Sequence, residues 1–144
     1  MSDAACPPPG PRPVDDDGYF EELTRSVFQG GLSWQAVDAK WPGFRRAFSN
    51  FSIRDVADYQ PDDVDRLMSD PEIVRNLGKI EATIENAAEM LLIQFEHGSF
   101  ERYCAGFTSQ AALVEDICRR FKQLGPTSAA AFVQRVAGPA ATVA

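Results

Sequence analysis

The sequence predicts an all-α protein, a compact multi-helix bundle that ends in a helical hairpin near its C-terminus. Three observations carry this. Apolar residues recur at 3.6-residue spacing, most regularly at Ile80, Ile84, Ala87, Ala88, Leu91, Leu92 and Phe95. Serine, aspartate and proline stand where helices should start, and glycine where they should end. Runs that alternate apolar and polar residues, as a half-buried strand requires, are almost absent.

Each element follows from these signals. Asp15-Asp16-Asp17 supplies N-capping acids before Phe20, Leu23, Val27 and Phe28, and Gly30-Gly31 ends that helix. Ser33 caps a second, with Trp34 and Val37 one turn apart. Pro42 suits a first helical position and leads into Phe44, Ala47 and Phe48. Ser52 begins a stretch with Ile53, Val56 and Ala57; Pro61 begins one with Val64, Leu67 and Met68. Pro71 is expected to open another short helix through Ile73 and Val74, broken at Gly78. The long helix with Ile80 and Phe95 closes at His97-Gly98, and a weaker segment covers 100–107. Leu113, Val114, Ile117, Cys118 and Phe121 share one helical face. The chain turns at Gln123-Leu124-Gly125-Pro126, and Thr127 or Ser128 caps a last helix with Ala131, Phe132 and Val136. Three segments result: a disordered proline-rich tail over 1–14, one helical domain over 15–138, and a frayed tail over 139–144.

A chain of 144 residues with 44% apolar content supports one core. No apolar run approaches the roughly 18 residues of a membrane span, and the N-terminal residues carry no secretory pattern. Three widely spaced cysteines, Cys6, Cys104 and Cys118, argue against a disulfide framework and for a reducing cytoplasm. With His97 as the single histidine, no metal-ligand spacing can be read. The net charge of −7 opposes a grip on a polyanion unless the cations cluster. They do so at Lys40, Arg45 and Arg46, at Arg75 and Lys79, and at Arg119, Arg120 and Lys122.

The helix–turn–helix over 113–136 can be read in two ways. It is a corner that reverses the chain, or a hairpin that points backbone N–H groups and a helix N-terminus at one phosphate. The second needs no lysine and suits an acidic protein. Gly125 would supply close approach or positive φ, and Pro126 would stiffen the turn.

Several blocks, in order and in spacing, resemble the DNA-3-methyladenine glycosylase I family. Gln29-Gly30-Gly31-Leu32-Ser33-Trp34 is similar to its Q-x-G-L-S-W signature. Trp41-Pro42-Gly43-Phe44-Arg45-Arg46-Ala47-Phe48 resembles its Y-R-x-A/C-F segment, and Phe51-Ser52 stands at its Phe-Asp. The run from Asp70 to Ala82 resembles D-x-x-I-x-R-x-x-x-K-I-x-A, followed by Asn86-Ala87. The segment from Phe121 to Thr127 falls at its helix-hairpin-helix.

The resemblance implies base excision repair: a 3-methyladenine nucleotide is flipped from the duplex and its N-glycosidic bond is hydrolysed. The cationic base is held by an aromatic pocket. The resemblance assigns Trp34 to base stacking in that pocket, with Phe28 beside it. It assigns Gly31 and Leu32 to the wedge that fills the gap, and Leu124, Gly125 and Thr127 to the phosphate-binding hairpin. Read without it, Trp34 is a core residue early in a helix and Leu32 a hydrophobic staple. Arg75, Lys79 and Lys122 face DNA, or Arg75 and Lys79 pair with Glu72 or Glu81 on a solvated face. The chain departs from the pattern in three respects, one being that the proline-rich tail stands in place of the family's N-terminal segment with its aromatic pocket residues. Ser26 stands where the family has a base-contacting glutamate, and Glu22, one turn earlier, is a possible substitute. The family's zinc ligands have no counterparts, so no cofactor is expected. The expected partner is duplex DNA with an alkylated base, bound by a cytoplasmic, monomeric protein with no membrane association. The alternatives are an inactive module that binds damaged or bent DNA, and a protein-interaction relic of the fold.

Overall fold

The computed structural model describes residues 12–31 and 33–137. The expectations for Leu32, for Cys6 and most of the proline-rich run, and for the C-terminal tail lie outside these residues. Nine α-helices run through the described chain: α1 (Asp16–Gln29), α2 (Trp34–Ala39), α3 (Trp41–Ala47), α4 (Ile53–Ala57), α5 (Pro61–Met68), α6 (Leu77–His97), α7 (Phe100–Ala105), α8 (Gln110–Arg120) and α9 (Pro126–Ala137). Among the described residues there is no strand.

The acidic run does more than cap one helix. Asp15 accepts from Gly18 N at 2.8 Å and caps α1. Asp16 accepts from Phe100 N at the start of α7 (3.0 Å) and from Gln94 Nε2 on α6 (2.7 Å). Asp17 accepts from Ile53 N at the start of α4, 3.1 Å away. Three consecutive carboxylates thus satisfy orphan N–H groups on three helices. Arg12, assigned by composition to the tail, donates to Val136 O at 2.5 Å and ties the start of the chain to the end of α9.

The core is continuous from α1 to α9. Its densest part is aromatic. Trp41 stacks on Phe44 (centroids 4.7 Å apart) and on Phe51 (5.3 Å), and Phe28 meets Phe44 edge-on at 4.7 Å. This stack holds a strained turn after α3, where Ser49, Asn50 and Phe51 take φ of 56°, 55° and 57°. Left-handed backbone costs an L-residue roughly 1–2 kcal/mol. Burial of the Phe51 ring, together with a bond from Ser49 Oγ to Tyr59 Oη at 2.7 Å, offsets that cost.

Three local expectations are corrected. Residues 71–76 form a turn and an irregular stretch, not a short helix, and α3 crosses them closely: a Cβ on Gly43 would collide with the Glu72 carbonyl. Gly78 does not break the long helix; Asn76 caps α6, accepting from Lys79 N at 3.0 Å, and Gly78 lies in the first turn. The buried face of α6 is Ile80, Thr83, Ala87, Met90 and Ile93, whereas Ala88, Leu92 and Phe95 are exposed. The helix is apolar on more than one side, and contact with α4 decides which side enters the core.

Two stability outcomes follow. Asp16→Ala should cost about 1–2 kcal/mol in urea unfolding, the loss of a cap and of its link to α6. Gly43→Ala should cost about 1–3 kcal/mol by forcing α3 away from Glu72, while Gly125→Ala, where a Cβ meets nothing within 4 Å, stays near wild type.

Candidate functional site

The C-terminus of α1 and the turn of the α8–α9 hairpin meet across one polar groove. The helix α1 ends as Gly30 N donates to Ser26 O (3.2 Å) and Val27 O (3.3 Å). Gly31 then takes φ 77°, a conformation that suits glycine. Ser33 Oγ accepts from Ala36 N at 3.3 Å and caps α2, which places Trp34 at its first position. The Trp34 indole is half-buried. Its Nε1 is shielded from solvent and has no hydrogen-bond partner, and the same holds for Gln29 Nε2 before the turn. Two unmet donors at one turn are costly unless a ligand supplies acceptors.

Lys79 joins this turn to the rest of the protein. Its Nζ donates to Val27 O (2.8 Å) and Gly30 O (2.6 Å), satisfying carbonyls at the end of α1. Burial lowers the pKa of this ammonium below its ordinary value. On the other side, Ser128 Oγ of α9 lies 3.6 Å from where a Cβ on Gly30 would stand. The groove between them encloses about 670 Å³ and is lined by Gly30, Lys79, Lys122, Gln123, Gly125 and Ser128, among others.

The hairpin turn is held from behind by Asn86, which is buried in α6. Its Oδ1 accepts from Lys122 N (2.8 Å), and its Nδ2 donates to Lys122 O (3.2 Å). Leu124 is buried and anchors the turn in the core. Two expectations about this turn are corrected. The positive φ belongs to Gln123 (59°), not to Gly125. The helix α9 starts at Pro126, so Thr127 and Ser128 lie within its first turn instead of capping it. Gly125 is therefore explained by open space: nothing in the protein lies within 4 Å of a Cβ there, which leaves the backbone free for close approach from outside. Thr127 is exposed at the N-terminal turn of a 12-residue helix, where N–H groups lack intrahelical acceptors.

Other predicted residues fall differently. Phe28 is fully buried between Phe44 and Phe48 and belongs to the core, not to an open pocket. Arg75 precedes α6, so it does not form a helical i, i+4 pair with Lys79; it is exposed, whereas Lys79 points at α1. Lys122 is exposed at the turn. Most of the remaining basic clusters are neutralised: Arg45 binds Glu21, Arg46 binds Glu72, Arg119 binds Asp116, and Arg120 binds Glu89 and Glu96.

Ser26 is buried and accepts from Arg135 Nη2 of α9 at 2.6 Å. Glu22 does reach this neighbourhood, but its carboxylate lies 3.5 Å from Arg25 Nε and 3.7 Å from Arg135 Nε. The position thus carries a guanidinium and a neutralised acid in place of a free carboxylate. Sequence reasoning missed Arg135, and it missed the roles of Asn86 and Lys79; all three act across helices distant in sequence, where no local pattern marks a partner.

Among the described residues, no three His, Cys, Asp or Glu side chains converge as a metal site. Burial, with neighbouring acids, pushes the pKa of the Cys104 thiol up to about 12. No helix of the described residues is long and apolar enough to cross a membrane.

An all-α fold with a terminal helical hairpin facing a glycine turn across a polar groove defines a helix-hairpin-helix protein. The chain belongs to the methyladenine glycosylase family, whose model matches residues 10–137. It is 28% identical over 103 residues to a DNA-3-methyladenine glycosylase of Haemophilus influenzae, covering 72% of this chain and 56% of that protein. It is 38% identical over 81 residues to DNA-3-methyladenine glycosylase 1 of Escherichia coli, covering 56% of this chain and 43% of that protein. The chain thus spans about half the length of the curated relatives it matches. The structure of 3-methyladenine DNA glycosylase I from Staphylococcus aureus superposes with a TM-score of 0.80 at 27% identity, covering 90% of this chain and 80% of that one.

The coupling of turn and hairpin is open to measurement. Lys79→Met should lower stability by ~2 kcal/mol through two unmet carbonyls, and Asn86→Leu by about 2–3 kcal/mol through the freed Lys122 peptide groups. Hydrogen exchange should rise at the hairpin turn in the second variant.

Proposed function

We propose that this protein is a DNA glycosylase that excises an alkylated purine from duplex DNA. The observation that carries the reading is the groove in which Lys79 bonds Gly30 O while Gly125 and Ser128 face it from the hairpin. The first-turn N–H groups of α9 hold one backbone phosphate, with Gly125 permitting close approach and exposed Lys122 adding charge. Binding through amides at a helix N-terminus reconciles the grip with a net charge of −7. The signature turn, with Gly31 and Leu32, replaces the flipped nucleotide, and Trp34 stacks on the extruded base. The unmet Trp34 Nε1 and Gln29 Nε2 donate to base or backbone acceptors. Hydrolysis breaks the bond between the anomeric carbon and the base nitrogen; water adds to the sugar and gives up a proton to solvent, and the cationic alkylated base departs with the bonding electrons as a neutral molecule. The protein acts as a monomer in the cytoplasm and without a metal.

A second reading, an inactive module for damaged or bent DNA, is favoured by one observation: Arg135 bonds Ser26 and is ion-paired with Glu22, which leaves no free carboxylate there. Release of free methylated purines from alkylated duplex DNA separates the two. Release that falls by more than about tenfold in both Trp34→Ala and Gly125→Val supports the enzyme. Absence of release, with salt-dependent affinity for abasic duplex that Gly125→Val removes, supports the binding module. Neither release nor duplex binding by folded protein overturns both.

A further inference from the structure

Of the four large hydrophobic residues exposed in the described chain, three lie on α6: Leu77 (46% exposed), Leu92 (44%) and Phe95 (87%). At about 100° per residue, Leu77, Ile84, Ala88, Leu92 and Phe95 fall on one stripe, roughly 27 Å long. It faces away from Lys79 and Asn86, which hold the signature turn and the hairpin. At its N-terminal end the stripe forms one wall of an open groove of about 580 Å³, with Pro61 and Val64 of α5 opposite. Apolar residues separated by seven, four, four and three positions make the kind of seam a second helix packs against.

The charge that lines this groove has one sign. Asp65, Glu81 and Glu85 line the groove, and no lysine or arginine does. Several carboxylates elsewhere are ion-paired, as at Glu21, Glu22, Asp38, Glu72, Glu89, Glu96 and Asp116. Among the described residues, Asp65, Glu81 and Glu85 take part in no such ion pair. An apolar stripe flanked by unneutralised acids selects its occupant. A nucleic acid is repelled. A second copy would set glutamate against glutamate between two chains of net charge −7.

We propose that the α5–α6 face is a docking surface for an amphipathic helix of a partner protein, with apolar residues on one side and lysine or arginine on its flanks. The site is separate from the groove at the hairpin and stands whether or not the protein cleaves DNA.

The test uses a helical peptide of roughly 18 residues, matched to the stripe, with leucines at heptad spacing and lysines on the flanks. A twin carries glutamate in place of each lysine. Titration is followed by amide NMR shifts of the protein at about 150 mM salt. The lysine peptide should bind with shifts confined to α5 and α6, and the twin should not bind. The exposed-site variant Leu77→Ser/Phe95→Ser, with thermal unfolding as a fold control, should lose affinity by about tenfold or more. Glu81→Lys/Glu85→Lys should weaken the lysine peptide and admit the twin. Shifts elsewhere, affinity unchanged in the serine variant, equal binding of both peptides, or self-association through this face would each overturn the proposal.

Discussion

The constraint on which the structure depends is the satisfaction of helix N-termini by a run of three aspartates. The nine helices of the described chain are mostly short, five of them eight residues or fewer, and each exposes N–H groups that only side chains or water can meet. Asp15, Asp16 and Asp17 cap α1, α7 and α4 from one point. Helices this short are marginal in isolation and gain stability from tertiary contacts. The run therefore sets where α4 and α7 begin relative to α1, and with them the orientation of α6 through Gln94.

From that hub the core closes on two sides. On one, aromatic stacking of Trp41, Phe44, Phe48 and Phe51 sustains three consecutive left-handed residues, a conformation no local preference would select. On the other, α9 lies along α1, with Arg135 at Ser26 and Ser128 near Gly30. The end of α1 is thus held by two distant elements, α6 through Lys79 and α9 through Arg135 and Ser128. Placing Lys79 beneath α1 has an electrostatic consequence as well. Its charge is committed to two carbonyls, which leaves Lys122 and the Asp116-paired Arg119 as the other cations lining the groove.

The distribution of charge follows the same logic. Several arginines are bound to acids of neighbouring helices and act as ties between elements, as Arg25 does between Asp38 and the face of Trp41. On the α5–α6 side, Asp65, Glu81 and Glu85 line a groove that no lysine or arginine enters. A net charge averaged over the chain therefore says little about either surface.

The sequence by itself determined the helical class, the positions of most helices and the order of the motif blocks. Capping residues, prolines and apolar spacing act over a few positions and are written locally. It also located the signature turn and the hairpin, whose residues are contiguous. Only the tertiary structure decided that Phe28 is core, that Lys79 caps α1, that Gln123 and not Gly125 takes positive φ, and that Arg135 meets Ser26. It also decided which apolar side of α6 is buried. Each of these outcomes is set by elements far apart in the chain, and a pattern with a period of 3.6 residues specifies a helix's faces without specifying what will pack against them.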